Sequence, residues 1–168
     1  MKLKQSLNSP PKMGYRKLTS HSPEETQKIG RRIGELALPG DVYLLTGGLG
    51  TGKTCLTQGI AWGLGIKEYA TSPSFVLVRE LHGRLPLYHI DLYRLDRIDE
   101  IAELGLDDYL YGNGVCVVEW AEKGWSLLPA EHLLIEISYL SNTERRFQLN
   151  PSGKRYREIA RQLKEGLE

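Results

Sequence analysis

The first half of the chain alternates between two hydrophobic patterns, one with the period of a strand and one with that of a helix. A short strand is predicted near Tyr15 to Leu18, and Ser22 then begins a capping box with proline at the first helical position. The helix that follows carries apolar residues at helical spacing: Ile29, Ile33 and Leu36. Val42 to Leu45 is predicted to be the next strand, and a second helix is predicted from Lys53 to Leu64.

The middle of the chain adds strands that differ in how much of them is predicted to be buried. Phe75 to Leu81 and Arg84 to Ile90 are expected to form a hairpin, and Pro86 indicates that the second of these strands is irregular or lies at an edge. A helix is predicted over residues 97–111, broken near its central glycine. The uninterrupted apolar run from Val115 to Val118 is typical of a strand covered on both faces.

The last part of the chain ends the pattern with alternating strands and a charged helix. Leu133 to Tyr139 and Arg145 to Leu149 predict a half-exposed strand pair, and an amphipathic helix is expected from Lys154 onward. The order of strands, loops and helices predicts an α/β domain with a mostly parallel central sheet, antiparallel additions and flanking helices. We expect a flexible leader over residues 1–13 and a single domain over residues 14–168.

Composition and charge narrow the class of protein without naming a function. Hydrophobic residues make up 40% and charged residues 26% of the 168 residues, as in globular domains. A formal net charge of +1 creates no field that would attract a polyanion, so a nucleic acid would be met through a local patch or through a partner. No apolar stretch approaches the roughly 20 residues of a membrane span, which favours a cytoplasmic protein without membrane contact.

The chain ends and the cysteines each leave one alternative open. The leader, MKLKQSLNSPPK, contains no acidic residue, so a plastid or mitochondrial address is an alternative to a disordered tail. Basic residues at both ends are expected on a solvated surface, with contact to tRNA as the alternative. Cys55 and Cys116 lack metal-ligand spacing and are predicted to be buried, reduced side chains.

A glycine-rich loop between the strand at 42–45 and the helix after it carries the strongest functional signal. Gly47 to Thr54, GGLGTGKT, matches the phosphate-binding pattern G-x-x-x-x-G-K-[ST] in full. Glycines let several main-chain N–H groups converge on phosphate oxygens, and the helix start adds its unpaired N–H groups. Lys53 is then expected against the β and γ phosphates, and the Thr54 hydroxyl on Mg²⁺. The chain has no N-K-x-D element, which favours ATP over GTP in a P-loop NTPase fold.

Two carboxylates compete for the position beside the metal ion. Glu119 directly follows the buried strand Val115 to Val118, and Asp91 follows the predicted hairpin strand. A P-loop protein needs an acidic group at the end of a neighbouring strand to hold Mg²⁺ or its waters, although a carboxylate there can also be a cap or an ion-pair partner. We expect both to serve, one near the metal and the other as a second ligand or a water-orienting group.

Four further features near these motifs have both a structural and a functional interpretation. Arg94 is placed either to neutralise charge on the γ-phosphate or to form a salt bridge with a nearby aspartate. His89 is interpreted as a packed or hydrogen-bonded residue rather than a catalyst. Trp120 either covers the nucleotide or packs locally, and Ser72 to Phe75 is a polar loop in the position of a switch-like segment.

An ordered set of motifs resembles the TsaE (YjeE) family of ATPases over about residues 18 to 150. The motifs are GGLGTGKT at 47–54, SPSF at 72–75, HIDLYRL at 89–95 and VVEWAEK at 117–123, with ELGLDDYL at 103–110 in addition. The resemblance implies a slowly hydrolysing ATPase subunit required for threonylcarbamoyladenosine modification of tRNA, next to the anticodon. It also implies TsaD and TsaB as partners and contact with tRNA only through that complex. Ser74 replaces the family's usual threonine, and Gly48 a commonly acidic residue.

The pattern and the resemblance together define the expected site. Lys53, Asp91 and Glu119 are the expected catalytic residues, and Thr54, Asp91 and Glu119 the expected Mg²⁺ ligands. The residues expected to bind the nucleotide are Gly48, Leu49, Gly50, Thr51, Gly52, Lys53, Thr54, Cys55 and Trp120. A small-molecule P-loop kinase is the alternative enzyme, although no Arg-rich lid is evident, and a P-loop used only as a non-hydrolytic interaction module is the alternative outside catalysis.

Overall fold

The computed structural model of the chain describes residues 16–70 and 77–167. Its strands are β1 (Arg16–Ser20), β2 (Val42–Thr46), β3 (Val78–His82), β4 (Pro86–Asp91), β5 (Val115–Glu119), β6 (His132–Tyr139) and β7 (Arg145–Ser152). Its helices are α1 (Pro23–Leu36), α2 (Lys53–Gly63), α3 (Ile98–Ala102), α4 (Asp107–Leu110) and α5 (Lys154–Gly166), and Ala121–Leu127 is a 3-10 helix. The leader predicted over 1–13 and the loop Ser72 to Phe75 lie outside the described residues.

The seven strands form one sheet in the order β1-β7-β6-β2-β5-β4-β3. The four central strands, β6, β2, β5 and β4, are parallel to one another. The remaining pairs, β1 with β7, β7 with β6 and β3 with β4, are antiparallel. This is the mostly parallel α/β sheet with antiparallel additions that the sequence predicts, and it places β2 at the centre between β5 and β6.

Helices cover both faces of the sheet, and β2 contributes to the core on each side. Tyr43 and Leu45 belong to a buried cluster with residues of α1, α2 and α5. Val42 and Leu44 belong to a second cluster with residues of α3, α4 and the 3-10 helix. Because a strand in this position has no solvated face, an uninterrupted apolar sequence is the expected one. The phosphate-binding loop therefore starts from a strand that is buried on both sides.

Helices α1 and α2 pack at backbone contact through four glycines. A Cβ atom at Gly30 would lie 2.3 Å from the Leu56 carbonyl oxygen, and one at Gly34 would lie 2.2 Å from that of Ile60. In the other direction, Cβ atoms at Gly59 and Gly63 would meet carbonyl oxygens of α1 at 2.2 and 2.1 Å. Side chains at these positions would hold the helices apart. The glycines thus let α1 fix the axis of the helix that follows the phosphate-binding loop.

The start of α1 confirms the capping prediction. The Ser22 hydroxyl accepts a hydrogen bond from the Glu25 amide at 3.1 Å, and the Glu25 carboxylate accepts one from the His21 amide at 2.7 Å. The Glu25 amide is one of the N–H groups that the first helical turn leaves without a partner in the helix, and the His21 amide lies just before that turn. The helix predicted over 97–111 is broken as expected, with Gly105 at a φ of +65° between α3 and α4.

One strand differs from the prediction. Pro86 indicated an edge or irregular strand, but β4 lies inside the sheet, between β3 and β5. Pro86 is the first residue of β4, opposite His82. At that position the missing N–H interrupts the pairing only at the strand end, so the strand tolerates the proline.

We find no helix in the described parts of the chain that is both long enough and apolar enough to span a bilayer.

Candidate functional site

The loop between β2 and α2 is shaped by glycines in conformations that other residues rarely adopt. Gly47 has a φ of +145°, and Gly52, directly before α2, has a φ of +105°. A Cβ atom on Gly47 would also lie 2.6 Å from the Ile137 carbonyl oxygen of β6. The loop therefore turns tightly against the neighbouring strand. It brings the free N–H groups at the start of α2 to the carboxyl end of the parallel strands, where α/β proteins bind phosphates.

Two hydrogen bonds hold the middle of this loop. The Thr51 hydroxyl donates to the Gly48 carbonyl oxygen at 2.9 Å, and Nε of Arg145 donates to the Thr51 carbonyl oxygen at 3.1 Å. Thr51 is buried, whereas Gly48, Leu49 and Gly50 are exposed at the tip. The loop is thus fixed from within by its own threonine and from outside by the first residue of β7.

The Lys53 ammonium group lies against the loop rather than in solvent. Its Nζ donates to the carbonyl oxygens of Gly47 at 2.6 Å and Gly48 at 2.8 Å. It also lies 4.2 Å from the centroid of the Trp120 ring, within the range of a cation–π contact. Burial lowers the pKa of Lys53, and the carboxylates of Glu119, Glu122 and Asp91 oppose this effect. A positive group held at low hydration beside free N–H donors is suited to a polyanion.

The Thr54 hydroxyl and the Glu119 carboxylate come together at the end of β5. The hydroxyl donates to Oε1 of Glu119 at 3.0 Å, and Oε2 lies 3.4 Å away. Asp91 is the register partner of Glu119 on the adjacent parallel strand and is also buried. Its Oδ1 accepts a hydrogen bond from the Tyr93 amide at 2.9 Å. The sequence predicted all three residues at one metal site, and the fold brings them to the same edge.

The chemistry of these donors fits Mg²⁺. A hydroxyl and carboxylates are hard oxygen ligands of the kind that Mg²⁺ prefers. Over residues 16–70 and 77–167, no three His, Cys, Asp or Glu side chains cluster as a ready-made metal site. An Mg²⁺ ion here would therefore complete its shell with water and phosphate oxygens, which is its usual behaviour in nucleotide sites.

A histidine lies beneath this pair of residues. His89 on β4 is fully buried, and its Nε2 contacts Oε2 of Glu119. The hydrogen-bonded role that the sequence favoured for His89 is therefore correct. Its partner is the carboxylate expected beside the metal ion.

An aromatic pair forms the rim of the site above Lys53. Trp120 has a φ of +57°, which is rare for a residue with a Cβ atom, and it directly follows Glu119. Its ring lies 4.9 Å from that of Tyr93, centroid to centroid. Lys123 donates to the Tyr93 carbonyl oxygen and lies 3.5 Å from the Asp96 carboxylate. The left-handed turn thus directs the indole back over the loop lysine.

Two other residues that the sequence singled out, Cys55 and Arg94, are not fully buried. Cys55 is half-buried rather than buried, and its thiol donates to the Pro23 carbonyl oxygen at the start of α1. Arg94 is exposed. Lys123 is one salt-bridge partner of Asp96 in this region.

Sequence reasoning missed two side chains that shape the site. Arg145 was interpreted only as a strand residue, yet it binds the loop carbonyl of Thr51. Tyr93 carried no prediction of its own, although its ring packs against that of Trp120 at a tilt of 42°. The motif HIDLYRL contains Tyr93, so its proximity to Asp91 was a usable signal. For Arg145 no comparable local signal exists.

Comparison with known proteins assigns this arrangement to a family. A family model described as "Threonylcarbamoyl adenosine biosynthesis protein TsaE" matches residues 20–147. The chain belongs to the TsaE family. The matched range contains the loop, β4, β5, Trp120 and Arg145, so every element of the site lies within the TsaE region.

Individual TsaE proteins match over most of their lengths. The tRNA threonylcarbamoyladenosine biosynthesis protein TsaE of Bacillus subtilis (strain 168) is 45% identical over 143 residues, covering 84% of this chain and 89% of the relative. The protein of that name from Treponema pallidum (strain Nichols) is 43% identical over 126 residues, covering 75% and 93%. The crystal structure of Bacillus subtilis YdiB superposes with a TM-score of 0.80 at 40% identity, over 90% of this chain and 95% of that one. The sequence comparisons and the structural comparison therefore each match this chain over most of its length.

Proposed function

We propose that this chain is a cytoplasmic, Mg²⁺-dependent ATPase that hydrolyses ATP slowly and is required for threonylcarbamoyladenosine modification of tRNA. The family supports the pathway, since the relatives are named for threonylcarbamoyladenosine biosynthesis. The observation that carries the ATPase assignment is the meeting of Thr54 and Glu119 at 3.0 Å beside the loop lysine. The TsaE resemblance gives TsaD and TsaB as partners, with tRNA contacted through their complex.

The loop and α2 supply the binding of the triphosphate in this proposal. Main-chain N–H groups between Gly48 and Cys55 would bind the phosphate oxygens, and the Lys53 ammonium would exchange the carbonyl oxygens of Gly47 and Gly48 for the β and γ phosphates. A charge-assisted bond to phosphate is stronger than a bond to a neutral carbonyl, which favours the exchange. Trp120 would cover this part of the site, since its ring lies 4.2 Å from the Lys53 ammonium.

The two carboxylates act at the terminal phosphate. When bound, Mg²⁺ neutralises charge on the β and γ phosphate oxygens. Thr54, Glu119 and Asp91 would hold the ion directly or through its waters. The carboxylate that does not ligate the ion directly orients the attacking water. Both carboxylates are buried, so their contact with bulk solvent is small.

Calorimetric titration of ATP with Mg²⁺ tests the binding half of this proposal. Wild-type protein should bind ATP, and Lys53→Ala should bind it at least about tenfold more weakly because it loses a charge-assisted contact. Asp99→Asn is a matched control, since Asp99 is exposed and pairs with Arg97 away from the loop. Wild-type protein that binds no ATP would refute the proposal.

Phosphate release tests the catalytic half. Glu119→Gln and Asp91→Asn should slow hydrolysis, with TsaD and TsaB present to obtain full turnover, while ATP binding measured without Mg²⁺ is largely kept. Full hydrolysis in both variants would refute their assigned role. Restoration of threonylcarbamoylation in an extract depleted of this protein tests the pathway. Transfer of phosphate to an added metabolite would instead favour the small-molecule kinase.

A further inference from the structure

The position of His89 on β4 ties it to the carboxylates of the site. His89 precedes Asp91 by two residues, so both side chains project from the same face of the strand. On β5 the register partner of His89 is Val117, and Glu119 lies two residues further along that same face. The imidazole therefore lies directly beneath the Glu119 carboxylate. Its side chain is fully buried, and that of Glu119 is 3% exposed.

The two oxygens of Glu119 are divided between two donors. Oε2 contacts Nε2 of His89, and Oε1 is the closer acceptor of the Thr54 hydroxyl, at 3.0 Å. An ionised carboxylate can only accept hydrogen bonds, so the hydrogen shared with His89 is carried by Nε2. A carboxylate bound at both oxygens cannot rotate without breaking one of these bonds. Its orientation toward Thr54 is therefore set from below.

The other ring nitrogen fixes the tautomer. Nδ1 of His89 is buried and has no hydrogen-bond partner among the described residues. With the hydrogen on Nε2, Nδ1 carries a lone pair and no hydrogen, so no buried N–H donor is left unpaired. With the hydrogen on Nδ1, an N–H group would be buried without an acceptor, and two acceptors would face each other at Glu119. The surroundings thus select the Nε2–H form.

We propose that His89 is a positioning residue that donates from Nε2 to Glu119 and holds its carboxylate in the orientation that binds Mg²⁺. This inference rests on the proposed function, because it assigns Glu119 to the metal. Groups that orient metal ligands from behind typically contribute 10- to 100-fold in metal affinity or activity. A histidine that only fills space would contribute through packing alone.

Two substitutions separate the donor from the packing. His89→Leu fills a similar volume without a donor, whereas His89→Gln offers an amide N–H near the position of Nε2. The measured quantity is the factor by which Mg²⁺ increases the affinity for a non-hydrolysable ATP analogue. We expect this factor to fall at least about tenfold in His89→Leu, while the affinity without Mg²⁺ stays within about twofold of wild type. His89→Gln should keep the Mg²⁺ effect within a few-fold. Thermal midpoints of all three proteins give the packing contribution.

The outcomes are distinct. An unchanged Mg²⁺ effect in His89→Leu overturns the inference. An equal reduction of the Mg²⁺ effect in both variants, in proportion to their lower thermal midpoints, overturns it as well. If wild-type protein itself shows no Mg²⁺-dependent binding, the proposed function fails instead. Nitrogen-15 NMR of wild-type protein tests the donor without any variant. We expect the hydrogen of the His89 ring on Nε2, and a hydrogen on Nδ1 would overturn the inference even if neither variant folds.

Discussion

Nε of Arg145 donates a hydrogen bond to the main-chain carbonyl oxygen of Thr51 across 3.1 Å, which joins β7 to the phosphate-binding loop. The same guanidinium donates from Nη1 to the carbonyl oxygens of Ser141 at 2.6 Å and Glu144 at 2.9 Å. Its carbon lies 4.6 Å from the centroid of the Tyr139 ring. One side chain therefore binds the loop and the turn between β6 and β7 at once.

Removal of this link should weaken nucleotide binding. Arg145→Ala leaves the Thr51 carbonyl without its partner, and a hydrogen bond to a charged group contributes about 1.5–3 kcal/mol. We expect ATP affinity to fall by about tenfold in calorimetric titrations because the loop must be ordered on binding. Arg146→Ala is the matched control, since Arg146 is the exposed neighbour in the same strand. Equal affinities of the two variants would contradict the role given to Arg145.

Substitution of the helix-contact glycines should destabilise the whole domain. A Cβ atom in Gly34→Ala would lie 2.2 Å from the Ile60 carbonyl oxygen. Both atoms belong to helix backbones or are attached to them directly, so the clash is relieved only if α1 and α2 move apart. We expect a loss of about 1–3 kcal/mol or more in the free energy of unfolding, measured with urea. Gly166→Ala near the end of α5 is the control, because its Cβ atom meets only the flexible side chain of Arg32. Equal stability of both variants would be inconsistent with backbone contact.

Trp120 should report the arrival of nucleotide. Its ring lies 4.2 Å from the Lys53 ammonium, and that ammonium is expected to move to the phosphates on binding. Tryptophan emission should therefore change on ATP addition in wild-type protein and in Trp62→Phe, and should lose that change in Trp120→Phe. An undiminished signal in Trp120→Phe would place the response at another tryptophan.

Stability should decline at alkaline pH, in part because of Cys116. Burial raises the pKa of this thiol from its ordinary 9.0 to about 12. Between these values the unfolded thiol has lost its proton while the folded one keeps it, so the unfolded state binds fewer protons and stability falls as pH rises. The loss for this group is about 1.4 kcal/mol per pH unit within the window.

Urea unfolding at several pH values from 8 to about 11 measures this slope. The Cys116→Ala variant should show a shallower decline, whatever its stability at neutral pH. The buried Tyr156 hydroxyl, whose pKa burial raises to about 12, maintains part of the decline in that variant. An identical slope in both proteins would exclude Cys116 as a contributor.

The sequence predicted those parts of the fold whose determinants are local. The capping box at Ser22, the break at Gly105 and the apolar run of β5 each depend on a few adjacent residues. The prediction of an edge or irregular strand from Pro86 was wrong because a proline at the first position of a strand is compatible with an interior strand. The close pair of helices had a signal that was not used, since the glycines recur at intervals of four in both: Gly30, Gly34, Gly59 and Gly63.

The site was predictable where a motif places residues in order along the chain. The eight loop residues and the strand-end positions of Asp91 and Glu119 follow from such patterns. Arg145 acts across 94 positions of sequence on a main-chain carbonyl, and such a contact leaves no trace in either segment. The left-handed backbone of Trp120 is likewise set by its surroundings, because an indole has no preference for that conformation. These features required coordinates.

The place of β2 in the sheet has a consequence for synthesis of the chain on the ribosome. Both strands that pair with β2 follow it at a distance, since β5 begins at Val115 and β6 at His132. A nascent chain that ends before Val115 contains the complete glycine-rich motif but offers β2 no hydrogen-bonding neighbour. The part of the sheet from which the loop starts is therefore completed late in translation. Until then the apolar segment at 42–45 is a natural target for chaperones that bind extended hydrophobic stretches.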